Sequence, residues 1–584
     1  MSAAAPVDRV RRRLGLLAIL ALLLAAGAVI QGTGWNQTSH YALTKSLAAG
    51  TPQIDAYQGW TGDKARHDGH WYSSRAPGLA LLSVPAYAAL DAVGVPEAAA
   101  RAEVIRREGE AIWALGLWAA LLPLAVILLL VRRLGDRVEP GLGAPAAVAL
   151  GAGSLLLPFS TMLFSHALSA ALGFAAFALL WHEREGPPRR WPLAAAGALV
   201  GLGVTTEYPL AFVGIALGAL AIARGPVAAS ATRTARLLER ARRGLAYTGG
   251  AVAGVLPLLA YNTWAFDSPT HLAYADLKAH EAGFFGIGPP SPAVAVELLF
   301  SSRGLLTLAP IVVLAVLGVV LLARRGRRAE ALTSGAVALG FVVYNAGYWL
   351  PFGGEVPGPR FLITMLPFLG VPLALALRRF PGPAIGLALV SAVTMAVATI
   401  VDPLIENEAD TGAWAVALAA GRFGATVVSA LGIGEGWVAA APFVLGVGAA
   451  LALAGAAAAR AGLVVSGRQA LLGVLAAAGW AALAVLAPPL LGIDASAGAR
   501  IVAAGGSARP AVAHGALPLL ELALLALGVA LAGLAVAYGL LPGPRPGGTT
   551  VDAAAGRLPA SRAASGVAAS GSGPEEREPE RVAP

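Results

Sequence analysis

Cysteine is absent from all 584 residues, and only 13% of them are charged. The first absence excludes disulfides, thiolate metal centres and cysteine nucleophiles within the chain, and it leaves the redox compartment undetermined. The second, beside a hydrophobic fraction of 57% and a mean hydropathy of +0.70, excludes an ordinary soluble protein. An internal repeat, a P-loop, a zinc-type ligand spacing and a dinucleotide fingerprint are also missing, and GLGV and GVGA read as glycines for helix packing. Chemistry must come from Asp, Glu, His, Arg, Tyr or Ser.

What the chain has instead is apolar runs, which recur from Leu14 to Leu541. The run at 14–30 follows Arg9, Arg11, Arg12 and Arg13 and reads as a retained signal anchor. Others cover residues 111–131, 144–163, 166–180, 192–205, 209–223, 245–265, 305–323, 332–350, 361–377, 385–401, 438–459, 471–491 and 516–541. The fold class is therefore an all-α polytopic membrane protein of about fourteen helices. Arginines before residue 14 and around 132–137, 189–190, 233–243, 324–328 and 378–379 occupy alternate connections, which places these and both termini in the cytoplasm. The net charge of +9 resides largely in those connections, so it sets orientation rather than binding nucleic acid.

The opposite face then receives residues 36–110, a short hairpin at 205–209, and loops 266–302, 352–360, 402–437 and 493–510. The first of these, opening NQTSHYALTKSLAAGTPQIDAYQGWTGDKARHDGHWYSSRAPG, holds far more ionisable chemistry than the spans do. Residues 77–110, with Pro85, Arg101, Arg106 and Arg107, read as interfacial helices of a large extracytoplasmic loop rather than as a span. From Pro542 the chain is rich in Pro, Gly, Ser, Ala and charge, the composition of a disordered cytoplasmic tail.

A signal-anchor helix, then a large loop ending in a Tyr-x-x-Arg-x-Pro element at Trp71, Tyr72, Ser73, Ser74, Arg75, Ala76, Pro77 and Gly78, resembles the GT-C-type membrane glycosyltransferases, which include protein mannosyltransferases and lipid A aminoarabinose transferases. SSRGLLTLAP at 301–310 and GGEVPGPRFLITMLPFL at 353–369 are similar to segments of uncharacterised bacterial members. The resemblance implies a catalytic module over 1–380, with its first extracytoplasmic loop at 32–110; additional helices at 381–541 match nothing recognised, and 542–584 is the tail.

The resemblance also implies an inverting transfer of a sugar from a polyprenyl phosphate to a lipid, glycan or protein acceptor, at the outer face of a bacterial plasma membrane. Such a reaction asks for a carboxylate base, cations for the departing phosphate and a groove for the lipid. The family usually places its carboxylate directly after the first helix, and this chain has Trp35, Asn36, Gln37 and Thr38 there. The base is accordingly sought at Asp55 or Asp63, with Asp55 alternatively a helix cap and Asp63 a turn residue. Arg75, Arg303 and Arg360 are the candidate phosphate cations, the glycines before Arg360 adding backbone donors. Asp68, His70, Tyr72, Glu207 and Glu355 are candidate substrate contacts. No cofactor is required; a divalent metal would find His67 and His70 beside Asp68, although Gly69 favours a loop there. A transporter or flippase, and a non-catalytic scaffold, are the alternatives, and the scarcity of charge within the spans argues against the first.

Overall fold

In the computed structural model, the described residues are 6–93, 109–187, 189–223, 232–277, 280, 283–404, 412–491 and 516–540. Arg101, Arg106, Arg107, the loop 493–510 and the tail from Pro542 lie outside them. The described residues form one compact unit.

Eight helices among the described residues are long and apolar enough to cross a membrane: Gly109–Val138, Ser165–Glu185, Arg233–Phe266, Arg360–Arg379, Pro381–Val401, Gly436–Arg460, Gly467–Ala487 and Leu520–Tyr538. The chain is a multi-pass helical membrane protein. A further apolar helix pair is sharply bent: Pro292–Leu308 and Ile311–Arg324 meet at 90°. Pro310 has no amide hydrogen to continue the ladder. The groups freed at the bend find side chains, because Trp480 Nε1 donates to the Thr307 carbonyl at 2.8 Å and Ile311 N donates to Ser391 Oγ at 3.0 Å. The apolar run at 144–163 is likewise divided, into Gly143–Ala152 and the single turn Leu156–Phe159, with Gly153 and Ser154 between.

Trp191–Thr206 packs along Arg233–Phe266 with the two backbones in contact. Gly197 and Gly201 face the carbonyls of Tyr247 and Ala251, and Gly250 and Gly254 face those of Ala194 and Ala198, so a methyl group at any of the four would strike backbone. Two small-xxx-small stripes thus make the tightest seam of the bundle. That seam carries Thr205, Thr206 and Glu207 at its end.

The segment read as the start of a polar loop is a helix, Trp35–Ala48, and Asn36 through Ser46 are all buried. Its polar groups are covered by the rest of the first loop: a 3-10 turn Asp55–Trp60, the antiparallel hairpin Lys64–His67 and His70–Ser73, and the helix Gly78–Ala92. Lys45 lies 5.2–6.0 Å from the rings of Tyr41, Tyr57, Trp60 and Tyr87, a cation–π cage that makes its burial tolerable. Ser39 Oγ donates to the Asp63 carbonyl at 2.6 Å, fixing the residue that leads into the hairpin over the helix.

Candidate active site

Asp63 directly precedes the strand Lys64–His67, and Arg75 follows the paired strand His70–Ser73; Ser74 N donates to the Asp63 carbonyl at 3.1 Å. The hairpin thereby brings the two side chains together, with Arg75 Nη2 at 2.5 Å from Asp63 Oδ2. The Asp63 carboxylate outweighs the cost of burying Arg75 and keeps the guanidinium charged. Both residues line a cavity of about 200 Å³ with Tyr274, His280, Tyr348, Trp349, Phe361 and Arg360. Three residues singled out from sequence, in two distant segments, therefore share one enclosure.

Arg360 begins the helix that runs to Arg379 and is 4% exposed. Among the described residues no carboxylate pairs with its guanidinium, and its Nε has no hydrogen-bond partner. The charge rests against the rings of Phe164 and Phe361, at 5.6 and 5.1 Å. The loop before it turns through Gly353 and Gly354, whose φ of 89° and 101° are left-handed. Arg303 holds that loop by donating through Nη2 to the carbonyls of Gly354 and Val356, at 2.9 and 2.6 Å. Arg303 is thus joined to Arg360 through backbone and is not among the cavity's lining residues.

Glu207 sits at the turn after Trp191–Thr206. It accepts from His166 Nδ1 at 2.9 Å and from the hydroxyl of Ser165. Burial alone would raise the Glu207 pKa, but His166, Ser165 and Arg360 outweigh it and bring the group down to about 2. Glu207 is therefore a fixed anion. Its orientation leaves His166 Nε2, buried, with no partner among the described residues.

The remaining candidates lie elsewhere. Asp55 is half-exposed and accepts from Trp71 N at 2.7 Å, with His70 Nδ1 at 2.6 Å, an arrangement that braces the hairpin against the 3-10 turn. Asp68 and Glu355 are exposed. Tyr72 is buried, packed on Phe266 at 4.8 Å and in reach of Gln53 Nε2 at 3.4 Å. His67 and His70 are a cross-strand pair at the hairpin end, and the two diverge, His70 to Asp55 and His67 to Asp276.

Sequence reasoning missed His40, His166, His280 and the aromatic wall. His40, on the buried helix Trp35–Ala48, is 1% exposed and neither ring nitrogen has a partner among the described residues. Burial first and the Arg75 charge second push it down to about 3, so it is a neutral imidazole. His280 stacks on Tyr274 at 4.2 Å and reaches Tyr348 Oη at 3.2 Å; burial and Arg75 take it down to about 4. His166 was hidden as the first residue of an apolar run, and His40 by the polar run around it.

No family model and no curated protein matches the chain. Solved structures of similar fold do exist. ArnT from Cupriavidus metallidurans bound to undecaprenyl phosphate is 13% identical over 92% of this chain and 78% of its own, with a TM-score of 0.46. The same protein in the apo state is 16% identical over 76% of each chain, with a TM-score of 0.43. The archaeal oligosaccharyltransferase AglB from Archaeoglobus fulgidus, in complex with an inhibitory peptide and a dolichol-phosphate, is 14% identical over 76% of this chain and 55% of its own, with a TM-score of 0.36.

Proposed function

We propose that the protein transfers a sugar from a polyprenyl-phosphate donor to an acceptor hydroxyl or amine at the extracytoplasmic face of the membrane, with inversion. The observation that carries this reading is Arg360: a buried guanidinium that no carboxylate among the described residues pairs with, opening on the same cavity as the Asp63–Arg75 pair. Asp63 and Glu207 act on this charge without an ion-pair contact to it, and a ligand phosphate in the cavity would supply the direct partner.

In the proposed reaction Arg360, helped by Arg75, holds the donor phosphate. The Asp63 carboxylate accepts the acceptor's proton as the acceptor oxygen or nitrogen bonds to the anomeric carbon. The carbon–oxygen bond to phosphate breaks on the opposite side, and its electron pair leaves as a phosphate oxyanion facing the two guanidinium groups. Tyr274, Tyr348, Trp349 and Phe361 offer the flat apolar surfaces on which a sugar ring packs. Asp55, outside the cavity lining, has no part in this scheme.

The test is transfer of labelled sugar from polyprenyl phosphate in purified membranes at matched protein abundance. Arg360→Ala is expected to lose at least about 100-fold and Arg360→Lys less, because a lysine point charge replaces only part of the guanidinium fork. Equal turnover in wild type and Arg360→Ala contradicts the assignment. A wild type that transfers nothing from any polyprenyl-phosphate sugar contradicts the function.

A further inference from the structure

Outside the cavity, a second cluster joins the first loop to the segment that follows Arg233–Phe266. His67 ends one strand of the first-loop hairpin; His271 and Asp276 flank and close the 3-10 turn Ala273–Asp276 that packs against that strand. Both imidazoles converge on one carboxylate, with His67 Nδ1 at 3.3 Å from Asp276 Oδ1 and His271 Nε2 at 2.8 Å from Asp276 Oδ2. One donor atom from each residue lies within 4.8 Å of the other two. The rings of His67 and His271 are 4.5 Å apart, and Phe266 packs against both, at 5.4 and 4.9 Å.

We propose that His67, His271 and Asp276 bind a divalent transition metal, zinc by their chemistry, as a clamp between the first loop and the loop after Arg233–Phe266. Two neutral imidazoles and one carboxylate are borderline nitrogen and oxygen donors, the set zinc accepts. Tetrahedral zinc with bonds of about 2.0–2.2 Å separates its ligand atoms by about 3.3–3.5 Å. The 3.3 Å between His67 and Asp276 is that spacing, whereas His271 and Asp276, at 2.8 Å, stand at hydrogen-bond distance and would part by about half an ångström to admit the ion. The three side chains are 18–22% exposed, which leaves water a way to the fourth position.

The clamp is structural rather than catalytic, because none of the three residues lines the cavity. It would nevertheless fix two of the cavity's walls. His67 lies on the strand that Asp63 precedes, and Asp276 closes the turn that holds Tyr274. The inference does not depend on the transferase reading.

The test is zinc content by elemental analysis of the full chain, purified in detergent without a histidine tag, loaded with zinc chloride and desalted. Wild type should retain about one zinc per chain, His70→Ala should retain the same, and His67→Ala and His271→Ala should each bind at least about 10-fold more weakly. Cobalt chloride added to the wild type should give the visible absorption of a tetrahedral centre, a readout that needs no variant to fold. Wild type without zinc and without that absorption overturns the proposal. So does zinc content unchanged in both histidine variants.

Discussion

The helix Ser165–Glu185 spans about 30 Å, and its two ends treat charge in opposite ways. At the C-terminal end, Arg243 meets Glu183 through two bonds of 2.7 Å, Arg184 meets Glu330 at 3.0 Å, and Arg137 and Arg327 share Glu185 at 2.8 and 2.5 Å. Arg325 and Arg378 meet Glu139 close by in sequence. At the N-terminal end, and among the described residues, no carboxylate pairs with Arg360, and His166 Nε2 and both nitrogens of His40 have no hydrogen-bond partner. The first end is a seam in which each of these guanidinium groups meets a carboxylate, although Arg184 Nη1 is buried without a partner among the described residues, and it lies between connections that the arginine bias assigns to the cytoplasm. The second is polar, buried and incomplete, which is what a protein must tolerate where a charged substrate is to supply the missing partner.

The largest effect expected from this contrast is chemical. Asp63→Asn removes the base and also the carboxylate paired with buried Arg75, so at matched abundance of folded protein transfer should fall by about 100- to 10,000-fold, while Asp55→Asn should stay near wild type. The reverse ranking in a sugar-transfer assay would move the base to the hairpin brace. The next is structural and belongs to the first end. Arg243→Ala leaves Glu183 buried and unpaired and should cost about 3–5 kcal/mol of stability, seen as a lower melting midpoint in detergent. An unchanged midpoint would mean that the first end is no more settled than the second.

A smaller effect should appear with pH. Unfolded His40 takes a proton below about pH 6.5, but in the folded protein it stays neutral to about 3. The unfolded state therefore binds more protons in that window, and stability falls as the pH drops through it, by up to about 1.4 kcal/mol per pH unit, with no such slope above about pH 7.5. His280, down at about 4, adds in the same sense over a narrower range. Melting midpoints between pH 7.5 and 4.5 should decline less steeply for His40→Leu than for wild type; equal slopes would show that His40 is not held neutral.

Membrane character was legible in apolar runs because bilayer insertion depends on composition, which a sequence displays directly. Helix breaks were less so, since Pro310 is tolerated only because Trp480 and Ser391 reach the freed backbone groups. Trp35–Ala48 was invisible as a buried helix, because its Asn, Gln, Thr, Ser, His and Lys read as solvent-facing until the hairpin that covers them is known. The same holds within the site. Asp63, Arg75 and Arg360 stood out as charges in loops, and the fold brings them to one cavity. Arg303 had a similar case, and its Nη2 donates to the carbonyls of Gly354 and Val356. His166 could be found only through Glu207, a contact between separate helices.

The central claim is that Arg360 is a cation awaiting a lipid phosphate, and undecaprenyl phosphate added to purified wild type and Arg360→Met in detergent tests it most directly. Removing an unpaired buried charge costs the folded protein little, so Arg360→Met alone should melt at or above the wild-type midpoint. The lipid should raise the wild-type midpoint in a concentration-dependent way and leave that of Arg360→Met unmoved. A variant that melts well below wild type yet is stabilised by the lipid to the same extent would show that Arg360 holds the fold together rather than the phosphate.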